Sequence, residues 1–396
     1  MRWLLILLVA CGAAVPALPS QGGPAWVELE SEHFTLWTDA GAARGTELIE
    51  QMESLHQIVF GIALAGYPSE GKTFAIALRD SFEVHAYIDD MFTAMSFVDD
   101  NALNLPVILL PADVPDHATI VTHELTHIIS NVAIKQQPVW FAEGLARFFE
   151  TTKLDADKAN VDVGEPLPEQ VMAANHYRLL PGPQLLGCKK MRCRDGQFYT
   201  TAALVFAYLK NARPAQLAAY QQQLSQRDPQ AWQHAFPDLP PEAIDREVLA
   251  WQHQGQHQIW HYTARLARTT MHQRTLSDAE VLAVRAFMML STHGDTPATR
   301  KAIADARTAD PTNLMAVLVE NQRAQRVSLE LARQMAKLHP EDWRAWMLIL
   351  EAKATGDERK IAQARLCTLV QSNPANYIGG WCPDSMLHPI AVPDEN

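Results

Sequence analysis

The chain has 396 residues, 48% hydrophobic and 20% charged, which is apolar material enough for two packed domains. Its net charge is −12, and it lacks a basic stripe or interleaved aromatic and basic residues, so composition argues against nucleic acid as a partner. The acidic balance favours solubility and names no substrate.

In chain order, the first predicted element is a leader over residues 1–20. MRWLLILLVACGAAVPA has one basic residue, an apolar stretch from Trp3 to Ala10 too short to span a bilayer, then small residues. This reads as a secretory signal and places the protein in the bacterial periplasm or cell envelope. Leu8-Val9-Ala10-Cys11 also matches a lipoprotein box, which would leave Cys11 lipidated and supply the one expected membrane contact; cleavage near Ala17 is the competing reading. Residues 26–38 and 73–79 then read as strands around a helix over 42–60, a mixed sheet ahead of the motifs that carry chemistry. LPVILL at 105–110 reads as a further strand, either an edge that pairs with a peptide backbone or an ordinary core strand.

HELTH follows at 123–127. Two histidines at i and i+4 point from one helix face and offer two imidazoles to one zinc ion. Glu124 lies beside them, where a carboxylate accepts a proton from water acidified by the metal. Asp113 and Pro115 suit the helix start, and Ile120, Val121, Leu125, Ile128, Ile129 and Val132 supply a buried face. A metzincin is excluded, because Ser130 and Ala133 stand where that class has glycine and a third histidine. Pro138 opens a second helix, PVWFAEGLARFFE, whose Glu143 is the best third ligand. Gly144 permits close approach of another chain segment. Glu150, two turns further along, either supports a ligand histidine or is an exposed carboxylate.

With HELTH, PVWFAEGLARFFE and an opening WVELESEHFTLWTD at 26–39, the chain resembles the gluzincins, specifically the bacterial peptidase MA-like proteins related to thermolysin and the leukotriene-hydrolase type aminopeptidases. The resemblance covers a little over half the chain. It implies an α+β zinc metallopeptidase domain over 21–265 in which a mixed sheet carries active-site helices, His123, His127 and Glu143 bind one Zn2+, and Glu124 is the general base. YTTAAL from Tyr199 sits where the aminopeptidases have a tyrosine that donates to the oxyanion, although Ala202 replaces their glycine; His176 is the substitute donor. No GxMEN-like string precedes the zinc helix, so endopeptidase action on peptide or protein substrates is expected rather than aminopeptidase action.

The remaining features lie towards the carboxyl end. Four cysteines outside the leader fall into two local pairs, Cys188-Cys193 and Cys367-Cys382, expected as disulfides. AFPDLPPEAIDREVLAWQ at 235–252 resembles the close of the peptidase domain. His253, His257 and His261 would share a helix face, as a polar face or a second metal site. Asp310-Pro311, His339-Pro340 and Asn373-Pro374 recur at tetratricopeptide-like intervals, which predicts an all-α helical-repeat domain over 266–396. Its helices pair as 277–293 with 297–309, 312–325 with 327–338, and 341–355 with 357–372, either to hold a protein partner or simply to cap the fold. Two other activities fit the same residues: an envelope binding or assembly protein working through its repeats, and a zinc amidase acting on cell-wall peptides.

Overall fold

The structure is a computed structural model that describes residues 15–67, 72–89, 93–97, 101–113, 119–134, 137–154, 160–166, 168, 171–172, 179–189, 196–255, 257–263, 271–371 and 382. Cys11, His176 and Cys193 lie outside the described residues, as do most of the expected leader and the Asn373-Pro374 pair. No helix among the described residues is long and apolar enough to cross a membrane.

A six-stranded mixed sheet organises the molecule. Its strands are β1 (Val27–Glu30), β2 (Phe34–Thr38), β3 (Thr73–Leu78), β4 (Met95–Phe97), β5 (Val107–Pro111) and β9 (His272–Thr275), in the order β4-β5-β3-β2-β1-β9. β2, β3 and β5 run parallel, whereas β4, β1 and β9 pair antiparallel with their neighbours. Helix α1 (Ala42–Ala63) makes the crossover from β2 to β3, and the short α2 (Ser81–Val84) follows β3. The expected helix and the strand at 73–79 form, whereas 26–38 divides at residues 31–33 into the antiparallel pair β1 and β2. LPVILL does not supply the edge: β5 is buried along its whole length between β3 and β4, and the edge is the three-residue β4.

Side-chain alternation divides the two faces of the sheet. Leu29, Phe34, Leu36, Ala75, Ala77, Ile108 and Leu110 join a core with α1, α3 (Thr119–Ala133) and α4 (Val139–Phe149). That core extends through α5 (Gly182–Leu186), α6 (Gly196–Ala212), α7 (Pro214–Ser225), α8 (Ala231–Ala235) and α9 (Ile244–His253). A small second sheet, β6 (Lys153–Leu154), β7 (Asn160–Val163) and β8 (Trp260–Thr263), lies beside it. On the opposite face Trp37, Phe74, Ile76, Leu78, Val107 and Leu109 belong to a different core, shared with the carboxyl-terminal helices. Burial on both faces explains why β3 and β5 read as unbroken apolar runs.

The carboxyl-terminal region is helical: α10 (Asp278–His293), α11 (Pro297–Ala309), α12 (Leu314–Ala324), α13 (Leu329–Leu338), α14 (Trp343–Glu351) and α15 (Gly356–Gln371). The helices fall where the repeat places them, and two of the expected pairs form, α10 with α11 and α14 with α15; α12 and α13 do not pair with each other, since α12 packs on α10 and α13 on α14. Ser277, Thr296, Asn313, Ser328 and Asp342 each cap the helix that follows with a side-chain oxygen, which fixes where that helix starts. The Cys367–Cys382 disulfide forms here. Two features tie this region to the sheet rather than leaving it separate. β9, past position 265, completes the sheet against β1, and the helices share the core of the sheet's second face. Leu18 packs against the same core, and the Ser20 backbone N–H donates to Asp278 at 3.2 Å.

Candidate metal centre

α3 and α4 bring HELTH and Glu143 together. Leu125, Ile128 and Ile129 bury one face of α3, which turns His123 and His127 to a neighbouring face, half-buried. α4 is anchored by Trp140, Phe141, Leu145, Phe148 and Phe149, with Trp140 set among Phe141, Tyr220 and Trp232. Gly144 makes the close approach that was expected of it. A Cβ there would lie 2.5 Å from the Ala202 carbonyl oxygen of α6, so only glycine lets the two helices touch at this point.

The three ligand atoms form a compact triangle. His123 Nε2 and His127 Nε2 are 3.0 Å apart, and Glu143 Oε2 lies 3.3 and 3.4 Å from them. Bonds of about 2.0–2.1 Å from a tetrahedral ion would put its ligand atoms roughly 3.3–3.4 Å apart, close to these spacings. The imidazole planes cross at 87° with centroids 4.6 Å apart, and the two Nε2 atoms are the ring atoms that face each other. These residues fit a divalent metal with one position left for water or substrate.

Glu150 supports the triangle from behind. Its Oε1 accepts from His123 Nδ1 at 2.6 Å, which leaves Nε2 of the neutral ring as the lone pair facing the other ligands. Arg147 Nη1 donates to the second Glu150 oxygen at 2.6 Å. Arg147 was missed in the sequence, although its position three residues before Glu150 on a helix allows this pairing.

The electrostatics favour positive charge. Burial, the largest influence on His123, lowers its pKa, but hydrogen bonds to Glu143 and Glu150 and their charges outweigh it and push it up to about 9. Burial likewise raises Glu143, yet hydrogen bonds and charge from His123 and His127 hold it well below the usual carboxylate range. Two buried carboxylates thus favour a cation at the point where the three ligand atoms meet.

Glu124, one residue from His123, is half-buried and accepts at Oε2 from Ser96 Oγ of β4 at 2.6 Å. Tyr199 is half-buried in the first turn of α6, three residues before Ala202 and so on the face that meets α4; its ring packs edge-on against Phe198. Cys188 is buried and disulfide-bonded.

Two other histidine groups differ from this centre. His33, Glu53 and His56 also bring ligand-type atoms within 4.8 Å of one another. Their imidazoles, however, stack 3.8 Å apart with planes only 21° from parallel, so the in-plane lone pairs have no nearby common point. Glu53 is engaged as a clamp on the β1–β2 turn, accepting from Ser31 Oγ at 2.6 Å, the His33 backbone at 2.8 Å and His33 Nδ1 at 2.7 Å. His253, His257 and His261 do not share a helix face. α9 stops at His253, Gly255 takes φ +65°, and His261 lies on β8, where its Nδ1 meets Asp162 Oδ1 at 2.6 Å. The chain matches no protein-family model, and no curated protein matches it significantly.

Proposed function

We propose that the protein is an exported zinc metallopeptidase of gluzincin type, an endopeptidase of the cell envelope. The observation that carries this reading is the triangle of His123, His127 and Glu143 with Glu124 beside it on the same helix. Two imidazoles and one carboxylate are a catalytic rather than a structural ligand set, since three protein ligands leave a coordination position open. When bound, zinc supplies Lewis acidity that polarises a carbonyl and acidifies water.

The chain's own residues do the rest. Glu143 and the two histidines hold the ion, and Glu150 fixes the tautomer and orientation of His123. Glu124 takes a proton from water attacking the scissile carbonyl and returns it to the departing amide nitrogen. Tyr199 donates its phenol proton as a hydrogen bond to the oxyanion, a role taken from the family resemblance. Hydrolysis is balanced by one water: its oxygen joins the carbonyl carbon, and its protons leave on the new amine and acid.

The test is digestion of an unbiased peptide mixture by zinc-loaded protein and by its Glu124→Gln variant, with products identified by mass spectrometry. Internal cuts made only by the parent are expected. Equal cutting by both proteins would remove Glu124 from the mechanism. No cutting by either would favour the binding or assembly reading.

A further inference from the structure

We infer that Ser96 is a positioning residue for Glu124, and that the edge strand β4 is the device by which the fold aims the general base; the inference rests on the peptidase reading above. The Ser96 hydroxyl donates to Glu124 Oε2 at 2.6 Å, and this is the one hydrogen bond described for that carboxylate. A serine hydroxyl facing an ionised carboxylate makes a charge-assisted bond, stronger than a neutral one and directional. It commits Oε2 and leaves Oε1 to carry the proton between water and the leaving nitrogen.

The strand around Ser96 is built to hold that hydroxyl still. Successive side chains of β4 alternate: Met95 and Phe97 pack into the core shared with the carboxyl-terminal helices, which turns Ser96 to the opposite face, towards α3. Phe97 meets Phe287 of α10 edge-to-face at 6.3 Å. In register, Ser96 stands opposite Ile108 of β5, a residue in the core beneath α1 and α3. β4 is therefore fixed by β5 along one edge and by α10 beneath, while among the described residues its other edge has no strand beside it in the sheet. A misplacement of about 1 Å at a reacting group can cost on the order of 100-fold in rate, so a carboxylate on a half-buried helix face gains from a rigid partner.

The experiment compares the parent with Ser96→Ala, Ser96→Thr and Glu124→Gln, all in the full-length, zinc-loaded protein. Zinc content, kcat and KM on a peptide cut by the parent, and binding of acetohydroxamate are measured for each. Acetohydroxamate chelates a metal through its two oxygens and donates a hydrogen bond to a correctly placed carboxylate, so the part of its affinity lost in Glu124→Gln reads Glu124 without turnover. Ser96→Ala is expected to keep one zinc per chain and an unchanged KM, to lose about tenfold in kcat and in hydroxamate affinity, and to be restored by Ser96→Thr. Parent-like kcat and hydroxamate affinity in Ser96→Ala, with Glu124→Gln impaired, would overturn the inference. If the parent cuts no peptide but the hydroxamate losses and the threonine rescue appear, the peptidase reading fails and the positioning role stands. If zinc-loaded parent binds no hydroxamate, both are overturned.

Discussion

At the scale of single residues, the carboxylates at the candidate centre have separable tasks. Glu143→Ala removes one corner of the ligand triangle, and the protein is expected to lose stoichiometric zinc on dialysis, as measured by metal analysis. Glu150→Gln leaves the triangle intact but weakens the acceptor that fixes His123, so zinc affinity should fall about 10–100-fold while zinc still binds when supplied in excess. A competition titration with a chelator of known affinity separates the two, and equal affinities for Glu150→Gln and parent would show that Glu150 serves only Arg147. Gly144→Ala tests the packing beneath the site. The added methyl would meet the Ala202 carbonyl oxygen at 2.5 Å, and forcing α4 from α6 should destabilise the fold by about 1–3 kcal/mol, read as a lower unfolding midpoint.

At the scale of elements, legibility followed the physics of each pattern. HELTH and PVWFAEGLARFFE were readable because ligand spacing and apolar periodicity lie within single helices, and the carboxyl-terminal helices because most of them start at a local capping residue. Residues that meet only through tertiary structure were not readable. Ser96 reaches Glu124 across 28 positions, and β4 is three half-buried residues long, too short to show a period. The clamp of Glu53 on Ser31 and His33 joins α1 to a turn, with no local spacing to mark it. His253, His257 and His261 failed because Gly255 ends the helix that their spacing had implied. A pH dependence also belongs at this scale, since β2, α2 and α10 together bury Asp39, Glu83 and Arg285. Burial, then the charge and hydrogen bond of Asp39, raise Glu83 from 4.5 to about 8. An acid raised in the folded state contributes stability that is full below its unfolded value and lost as pH rises through its folded one. The thermal midpoint should therefore fall between pH 5 and pH 8, and Glu83→Gln should flatten that decline; an equal slope in the variant would assign it to other groups.

At the scale of the whole molecule, the carboxyl-terminal helices are a structural half of the sheet. Removing residues 276–396 would expose Trp37, Phe74, Ile76, Leu78, Val107 and Leu109. At roughly 1.5–3 kcal/mol for each buried apolar side chain, that loss is of the same order as the entire stability of a domain, about 5–15 kcal/mol. The truncated chain is expected to be insoluble or unfolded by circular dichroism. Loss of activity in it would consequently say nothing about partner binding by the repeats. A soluble, zinc-binding 1–275 fragment would instead show that the first core suffices.

The pairing of β9 with β1 also sets a timetable. Arg274 grips Glu28 through two hydrogen bonds of 2.7 and 2.8 Å across 246 positions, so the first strand acquires its outer neighbour only after most of the chain is available. Contacts at such separation must overcome the entropy of closing a very long loop before they contribute, which slows folding. A ribosome would thus release the segments of the candidate metal centre well before the strand that completes their sheet. Nascent chains stalled before residue 272 should remain protease-sensitive across β1 and β2, and chains that extend past α10 should not.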